Sequence, residues 1–199
     1  MRRKFKKSVS VATFPTKFAP LVFTGNLREI IQKVSNIGYD GIKISAKRPE
    51  EINLEFLNEW LDLYNMRISA IAAVAAFVED GLSLADPDKS IRKRHVEIMK
   101  RQIELASHFK ATVSVGLVRG RIREGFTRKD TEGWFAESLF ECEKAAKEFG
   151  VTLVLEPLNR YETNFVNTVD EGIKRRTQVI RIFPNEGSCI HLVSALTIE

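Results

Sequence analysis

Glu156 is the residue of this 199-residue chain that points most clearly to chemistry. It directly follows the run Val-Thr-Leu-Val-Leu at 151–155, which is typical of a fully buried β-strand. A buried carboxylate must be protonated, paired with a cation or bound to a metal, because burying an isolated charge costs a large free energy. We therefore interpret Glu156 as a metal ligand or an acid–base group. The alternative is a structural ion pair, for which Arg160 is a candidate partner.

Two further groups of charged residues follow predicted strands and could bind a ligand. Glu162 lies in the loop after Glu156 and could bind a hydroxylated ligand, although a solvated loop carboxylate explains it equally well. Arg119 opens a basic loop with Arg121 and Arg123, which could bind a sugar phosphate or be solvated. This loop lacks both the Gly-Lys-Ser/Thr sequence of a P-loop and the G-x-G-x-x-G spacing, so we expect no nucleotide site there.

The histidines and cysteines give little sign of a catalytic centre. His95 falls on the apolar stripe of a predicted helix, His108 lies near the end of that helix, and His191 lies within the last apolar run. We expect structural roles for all three. Cys142 lies in a helical pattern and is expected to be a buried thiol rather than the disulfide partner of Cys189.

Short β-type runs alternate with longer helical patterns, which predicts βα units and a parallel sheet. The predicted strands begin near residues 8, 41, 67, 111, 151 and 188, and the predicted helices cover 26–38, 51–64, 86–106, 131–149 and the region after 168. A long loop is expected between the third strand and the third helix. The C-terminal ends of parallel strands form the active face, so the candidate residues are expected on one face.

Capping signals mark the start of several predicted helices. The segments Asn26 to Glu29 and Thr168 to Glu171 have the spacing of a capping box. Asp86 followed by Pro87 predicts an N-cap and a first helical position.

The predicted strands and helices make up five full βα units and one partial unit. A closed barrel needs eight strands and typically about 250 residues, so length alone favours an open doubly wound sheet.

The charge distribution excludes several function classes. The net charge of +5 comes from 31 basic and 26 acidic residues, and five of the basic residues lie within residues 1–7. The rest of the chain is neutral, so we expect no generic nucleic-acid binding. No apolar run approaches the roughly 18 residues of a membrane span, and we interpret 8–13 as a strand behind a basic tail rather than a signal peptide. A cytoplasmic protein without a membrane partner is the expectation.

The stretches LEPLNRYET at 155–163 and NTVDE at 167–171 resemble the sugar-phosphate isomerase/epimerase family. That family has the xylose-isomerase-like TIM barrel and includes ketose 3-epimerases and hydroxypyruvate isomerase-like proteins. Residues 79–87 and 115–120 agree with the resemblance. It implies an α/β fold, a (β/α) TIM barrel that is incomplete, with about five to six of the eight βα units.

The resemblance also implies a chemistry for the candidate residues. Glu156 corresponds to a glutamate that binds a divalent metal, Mn²⁺ or Mg²⁺, and acts as an acid or base. Glu162 corresponds to a glutamate that contacts substrate, and Arg119 is a further candidate for substrate binding. The implied reaction moves a proton next to the carbonyl of a ketose through an enediolate, with a sugar or sugar phosphate as substrate.

The chain departs from the family pattern after about Lys174. The family's three further metal ligands, an Asp, a His and a Glu after strands six to eight, have no match in 188–199: His191 is too early and Glu199 is terminal. We therefore expect a basic tail at 1–7, a partial barrel at 8–183 and a divergent segment at 184–199. A frameshift or an early-terminated gene product would explain this pattern, and little or no activity is expected of this chain alone.

Two alternatives to a sugar isomerase or epimerase are open. The chain could be a non-catalytic barrel remnant or binding protein stabilised by homo-oligomerisation, because an open barrel exposes unpaired strand edges. It could also be an apurinic-site endonuclease, which shares the barrel. That activity needs a multi-histidine zinc site, which three scattered histidines do not supply.

Overall fold

The computed structural model describes residues 5–14, 21 and 23–172. Within them the chain alternates strands with helices. The elements in chain order are β1 Ser8–Ala12, β2 Phe23–Thr24, α1 Leu27–Ile37, β3 Gly41–Ser45, α2 Leu54–Leu63, β4 Arg67–Ala72, α3 Val74–Asp80, α4 Lys89–His108, β5 Thr112–Val115, α5 Arg128–Glu148 and β6 Leu153–Leu155. Short 3₁₀ turns at Pro49–Glu51 and Leu117–Arg119 complete the described elements. None of the helices in this part of the chain has the length and apolar composition needed to cross a membrane.

The six strands form one parallel sheet in the order β2-β1-β3-β4-β5-β6, which confirms the predicted parallel sheet. Residues in register across five strands are all aliphatic: Val11, Ile44, Ile71, Val113 and Leu153. These side chains join the hydrophobic core together with the apolar stripes of the helices. The core therefore lies between the sheet and its helices.

The opposite side of the sheet, here called the inner face, carries small and polar side chains. One row in register across it consists of Ser10, Lys43, Ala70 and Thr112, all of them half-buried. The interior of a closed TIM barrel is filled mainly by bulky branched residues. The small side chains of this row leave room above the sheet for the one long side chain, that of Lys43.

The first helix is capped as the sequence predicts. The Asn26 side chain accepts a hydrogen bond from the Arg28 backbone N–H at 2.9 Å, and Gly38 ends α1 in a left-handed conformation with φ 92°. A residue without a Cβ adopts this conformation at little cost. The helix buries Ile30, Ile31 and Val34, which lie on one face at helical spacing.

The predicted start of the helix at Asp86 and Pro87 is wrong by two residues. The N-cap of α4 is Asp88, whose carboxylate accepts from the Ser90 N–H at 2.7 Å. Asp86 is instead buried before the helix, where its carboxylate accepts from the Asp88 N–H at 2.9 Å and pairs with Arg123. Both aspartates can cap, and the ion pair holds the first one away from the helix end.

The long helix α5 begins three residues before its predicted start. Thr127 and Asp130 form a reciprocal capping box, with the Thr127 N–H donating to Asp130 Oδ2 at 2.9 Å. The predicted burial of Cys142 on this helix is confirmed, and burial raises the pKa of its thiol to about 12. The next predicted helix start is also present, because the Glu171 N–H donates to Thr168 Oγ1 at 3.1 Å.

Two short elements were not predicted. The helix α3 replaces part of the expected long loop, and two of its seven residues are alanine, which has the highest intrinsic helix propensity. Strand β2 is two residues long, too short to show an alternating pattern, and pairs with β1. With β2, the number of described strands is six. The predicted strand at 188–198 lies outside the described residues.

The run 151–155 is only half-buried, which corrects the expectation of a fully buried strand. The reason lies in the sheet order: in the described part of the sheet, β6 is an edge strand that pairs with β5 alone. Among the residues that the structure describes, one flank of the strand therefore has no neighbouring strand to cover it.

Candidate active site

Glu156 follows β6 directly, and its carboxylate forms an ion pair with Lys43 from β3. The Lys43 Nζ lies 2.5 Å from Glu156 Oε1, and the two side chains are 24% and 30% exposed. Strands β4 and β5 lie between the two residues in the sheet, so the pair crosses the inner face. Glu156 is thus paired, as its position requires, but with Lys43 and not with Arg160. Its carboxylate is open enough for a ligand to reach it.

Lys43 is a site residue that the sequence analysis missed. The sequence does contain an indication of this role: Lys43 stands between Ile42 and Ile44. Both isoleucines are completely buried on the side of the sheet that the helices cover. A charged residue at that alternation must lie on the opposite face. The partner across the sheet is 113 residues away along the chain, and sequence spacing does not reveal it.

Gly116 provides space for the Glu156 carboxylate. A Cβ added at Gly116 would lie 3.0 Å from Glu156 Oε2, which is tighter than ordinary van der Waals contact. One carboxylate oxygen is therefore bound by Lys43, and the other lies against the backbone that leaves β5.

Arg119 connects the loop after β5 to the loop after β6. Its side chain is completely buried, and its guanidinium donates to the carbonyl oxygens of Phe165 at 2.7 Å, Val166 at 2.8 Å and Gly116 at 3.1 Å. It also donates to the carbonyl oxygen of Glu156. Burial lowers the pKa of Arg119 to about 10, which nearby carboxylates oppose in part, so the group is a cation at neutral pH.

This arrangement argues against the predicted contact of Arg119 with substrate. The guanidinium is enclosed, and backbone carbonyls of its own chain accept its hydrogen bonds. An arginine directly after a strand looks solvated in the sequence because three of its four acceptors come from residues 156–166. In the structure, Arg119 holds the backbone of Glu156 in place through its carbonyl oxygen.

Further hydrogen bonds hold the same two loops together. The Thr163 Oγ1 donates to the Gly120 carbonyl at 3.0 Å, and Asn164 exchanges two hydrogen bonds with the Ile122 backbone at 2.8 and 3.0 Å. Gly120 has φ +90°, and a Cβ there would lie 2.1 Å from Ser83 Oγ. The position of Glu156 is therefore set by a network of backbone contacts rather than by one bond.

Glu162 lies on an exposed turn close to this network. Its carboxylate accepts from Asn159 Nδ2 at 2.6 Å, and the Asn159 side chain accepts in turn from the Tyr161 N–H at 2.9 Å. In the described residues no hydrogen bond or ion pair joins Glu162 to Glu156. A contact of Glu162 with substrate stays a prediction, with the carboxylate accessible to a ligand.

The other arginines of the loop after β5 have partners on the protein. Arg123 pairs with the buried carboxylate of Asp86 at 2.6 Å. Arg121 lies over the Phe77 ring, 5.9 Å from its centroid. The charge of Arg123 is thus balanced by a carboxylate, and Arg121 contacts an aromatic ring. These contacts bear on whether the site could bind a sugar phosphate.

The described residues do not fit a divalent metal. Mg²⁺ keeps near-octahedral oxygen coordination, but residues 5–14, 21 and 23–172 hold no group of three or more His, Cys, Asp or Glu side chains. The position next to Glu156 Oε1 is taken by the Lys43 ammonium. His95 is buried, which lowers its pKa to about 4, and His108 is exposed at the end of α4. His191 and Glu199 lie outside the described residues.

Comparisons with known proteins agree with the resemblance seen in the sequence. A family model described as xylose isomerase-like TIM barrel matches residues 31–189. A ketose 3-epimerase of Arthrobacter globiformis is 24% identical over 180 residues, covering 86% of this chain and 59% of the relative. A D-psicose 3-epimerase of Ruminiclostridium cellulolyticum is 26% identical over 152 residues, covering 75% and 52%. The chain thus spans little more than half the length of these relatives.

Solved structures show the same fold at low identity. The 3-keto-D-glucoside 4-epimerase YcjR of E. coli has a TM-score of 0.69 and 18% identity, covering 88% of this chain and 65% of that one. The D-psicose 3-epimerase of Clostridium cellulolyticum H10 with D-tagatose has a TM-score of 0.68 and 19% identity, covering 88% and 60%. The IolI protein with a bound zinc atom has a TM-score of 0.60 and 16% identity, covering 79% and 55%.

One match is of a different kind. The transposase for insertion sequence element ISRM5 of Rhizobium meliloti is 54% identical over 37 residues, which cover 19% of this chain and 9% of the relative. The identity is more than twice that of the epimerases but extends over a short stretch. The chain therefore resembles two unrelated classes of protein.

Proposed function

Because the chain belongs to the xylose isomerase-like TIM-barrel family, we propose that it is a sugar isomerase/epimerase-type protein in which Glu156 moves a proton next to the carbonyl of a ketose. One observation carries this proposal. The Glu156 carboxylate lies at the C-terminal end of β6, partly exposed and held by Lys43, Gly116 and the Arg119 network. Active sites of TIM barrels lie at this end of the strands.

The chemistry assigned to Glu156 is general acid–base catalysis. Its carboxylate accepts the proton on the carbon next to the carbonyl, and the C–H electron pair moves to form an enediolate. The same group can return the proton to the same face of the substrate. A divalent metal would stabilise the enediolate oxygen in this type of reaction, but the described residues do not fit one, and the proposal uses none.

An uncharged ketose is the better candidate than a sugar phosphate. Two relatives are named as epimerases of ketoses, and one structural neighbour was solved with D-tagatose. Two of the three arginines in the loop after β5 already have acceptors on the protein, since carbonyls enclose Arg119 and Arg123 pairs with Asp86. Phosphate recognition relies on charge-assisted donors, and Arg121 offers a single cation rather than a cluster.

Net epimerisation by this chain alone is expected to be slight. Inverting a carbon centre needs a second proton donor on the opposite face of the substrate, and the described residues bring one carboxylate to the inner face. A test incubates the chain with D-tagatose, D-fructose and D-allulose, follows binding by saturation-transfer NMR and follows epimer formation by chromatography. Ketose binding with little epimer supports the proposal. Absence of binding to every ketose, or binding of glucose 6-phosphate in preference, contradicts it.

The second candidate function is a non-catalytic sugar-binding segment that is stabilised by self-association. It is favoured by the position of β6, which is a half-buried edge strand in the described part of the sheet, because an edge strand offers unpaired N–H and C=O groups to another chain. Gel filtration with light scattering distinguishes the cases: a monodisperse dimer that binds ketose without proton transfer supports this candidate, and a monomer argues against it.

We further propose that the chain has a composite origin. This proposal joins a stretch of 37 residues that is similar to a transposase to the epimerase-like part of the chain. The check is to read the DNA on both sides of codon 174 for the ends of an insertion element. A family-like sequence that resumes in another frame would favour the frameshift instead.

A further inference from the structure

We propose that Lys43 supplies, from within the chain, the positive charge at Glu156, so that its ammonium takes the place of a divalent cation and binds the oxygen of a ligand beside the carboxylate. The catalytic half of this inference rests on the proposed function. The charge-substitution half does not, and it can be tested without any sugar.

The fold directs the Lys43 side chain to Glu156. The residue stands in the middle of β3 on the inner face, and its neighbours in register are Ser10 and Ala70. Neither neighbour is large enough to block a four-carbon side chain that runs toward the C-terminal end of the sheet. The contact between Nζ and Oε1 is a charge-assisted hydrogen bond, because an ammonium donates to a carboxylate.

The same contact competes with a metal ion. A cation that bound Glu156 Oε1 would have to displace the ammonium and would be repelled by it at short range. The other oxygen, Oε2, faces the space that Gly116 leaves open because it has no Cβ. The ammonium therefore opposes a metal ion at Oε1, and Oε2 stays open to a substrate hydrogen.

The ammonium has donor capacity left for a ligand. Lys43 has three N–H donors, and the one hydrogen bond that it makes in the described residues is to Glu156. Its side chain is 24% exposed, so a ligand on the inner face can reach the remaining donors. A ketose oxygen placed there would lie next to both groups of the pair.

The proton transfer then balances without a further reactant. The Glu156 carboxylate takes the proton, the C–H bond breaks, and its electron pair forms the C=C bond of the enediolate. The carbonyl π electrons move to the oxygen, which the Lys43 ammonium stabilises by a hydrogen bond and by its charge. Lys43 thus touches the reacting oxygen and is the second catalytic residue of the site.

The charge substitution is tested with Mn²⁺ alone, on the full chain. Mn²⁺ uptake is measured by electron paramagnetic resonance and melting temperature by circular dichroism, for wild type, Glu156→Gln and Lys43→Glu. We expect wild type and Glu156→Gln to bind Mn²⁺ equally weakly. We expect Lys43→Glu, which places two carboxylates together, to bind about tenfold more tightly, equivalent to about 1.4 kcal/mol, and to melt at a higher temperature when Mn²⁺ is added.

One Mn²⁺ bound by wild type and lost in Glu156→Gln would overturn the inference. A second measurement applies if Lys43→Glu does not fold: a double-mutant cycle of Lys43→Met and Glu156→Gln. We expect Lys43→Met to lower the melting temperature by about 2–4 °C and the double variant to regain most of it, because an unpaired partly buried carboxylate is removed. Additive losses would contradict the pairing.

These readouts separate the two proposals. If the Mn²⁺ and stability results hold but no ketose binds, the proposed function fails while the charge substitution stands. If ketose binds and exchanges its proton but Lys43→Met and Lys43→Arg both act as wild type, Lys43 does not bind the reacting oxygen. A fall in kcat with unchanged KM for Lys43→Met, partly restored in Lys43→Arg, supports the catalytic half.

Discussion

Replacement of Arg119 by methionine should destabilise the protein more than most single substitutions. Arg119→Met keeps a long apolar side chain but removes the guanidinium, which leaves the carbonyl oxygens of Gly116, Glu156, Phe165 and Val166 without their donor. Each hydrogen bond from a charged group contributes about 1.5–3 kcal/mol. These four acceptors hold together both loops of the candidate site.

Part of this loss is offset because the variant no longer buries a charge. Burial lowers the pKa of Arg119 from 12.5 to about 10, and each pKa unit corresponds to about 1.4 kcal/mol, so burial of the cation costs about 3 kcal/mol. Four such hydrogen bonds are together worth at least about 6 kcal/mol, so the net loss in free energy of unfolding is expected at about 3–5 kcal/mol. This corresponds to a fall in melting temperature of about 6–20 °C.

The assay is urea denaturation followed by circular dichroism at neutral pH, with Arg119→Lys as the matched control. Lysine keeps the charge but lacks the planar fork, so it should satisfy fewer of the carbonyls and lose an intermediate amount. A loss below about 1 kcal/mol for Arg119→Met would refute the reasoning, because a solvated arginine would behave in that way. Equal losses in both variants would show that the fork geometry is unimportant.

Three further predictions follow from single positions. Gly120→Ala should lose clearly more stability than Gly125→Ala in thermal melts, because both have positive φ but only the first Cβ would collide with a neighbouring side chain; equal losses would contradict this. The free energy of unfolding should fall by up to about 3 kcal/mol between pH 6.5 and 4 through His95, since the unfolded imidazole binds a proton that the buried one, with its pKa near 4, does not. His95→Gln should flatten that slope and His108→Gln should not; the reverse would refute it. Cys142, buried and with its pKa raised to about 12, should stay unlabelled by a thiol reagent until the protein unfolds, as peptide mapping would show; rapid labelling would contradict its burial.

Much of the fold could be predicted because local patterns determine it. The alternation of aliphatic residues in Gly41–Ser45, and the Asn26 and Gly38 caps of α1, are properties of neighbouring residues. The helix start at Asp88 could not be chosen over Asp86 from the sequence, because the choice depends on an ion pair with Arg123. The two-residue strand β2 is shorter than any period that a pattern can show.

In the candidate site, too, some features follow from neighbouring residues and others from contacts between distant parts of the chain. Glu156 is recognisable because a carboxylate directly after an apolar run is unusual, although the run is half-buried and the side chain is 30% exposed. The identity of the partner, Lys43, and the enclosure of Arg119 depend on contacts across the sheet and between two loops. Such contacts join residues 37 to 113 positions apart, so they become visible only when the strand order is known.

The most direct test of the account is the rate at which the chain exchanges the hydrogen next to a ketose carbonyl for deuterium in D₂O, followed by proton NMR on D-tagatose. The wild type and Glu156→Gln are compared, with Glu148→Gln, an exposed carboxylate at the end of α5, as the matched control. We predict exchange above the background in wild type and in Glu148→Gln, and a loss of about 10²-fold or more in Glu156→Gln. Exchange that survives in Glu156→Gln, or that is absent from the wild type, would contradict the assignment of Glu156 as the base.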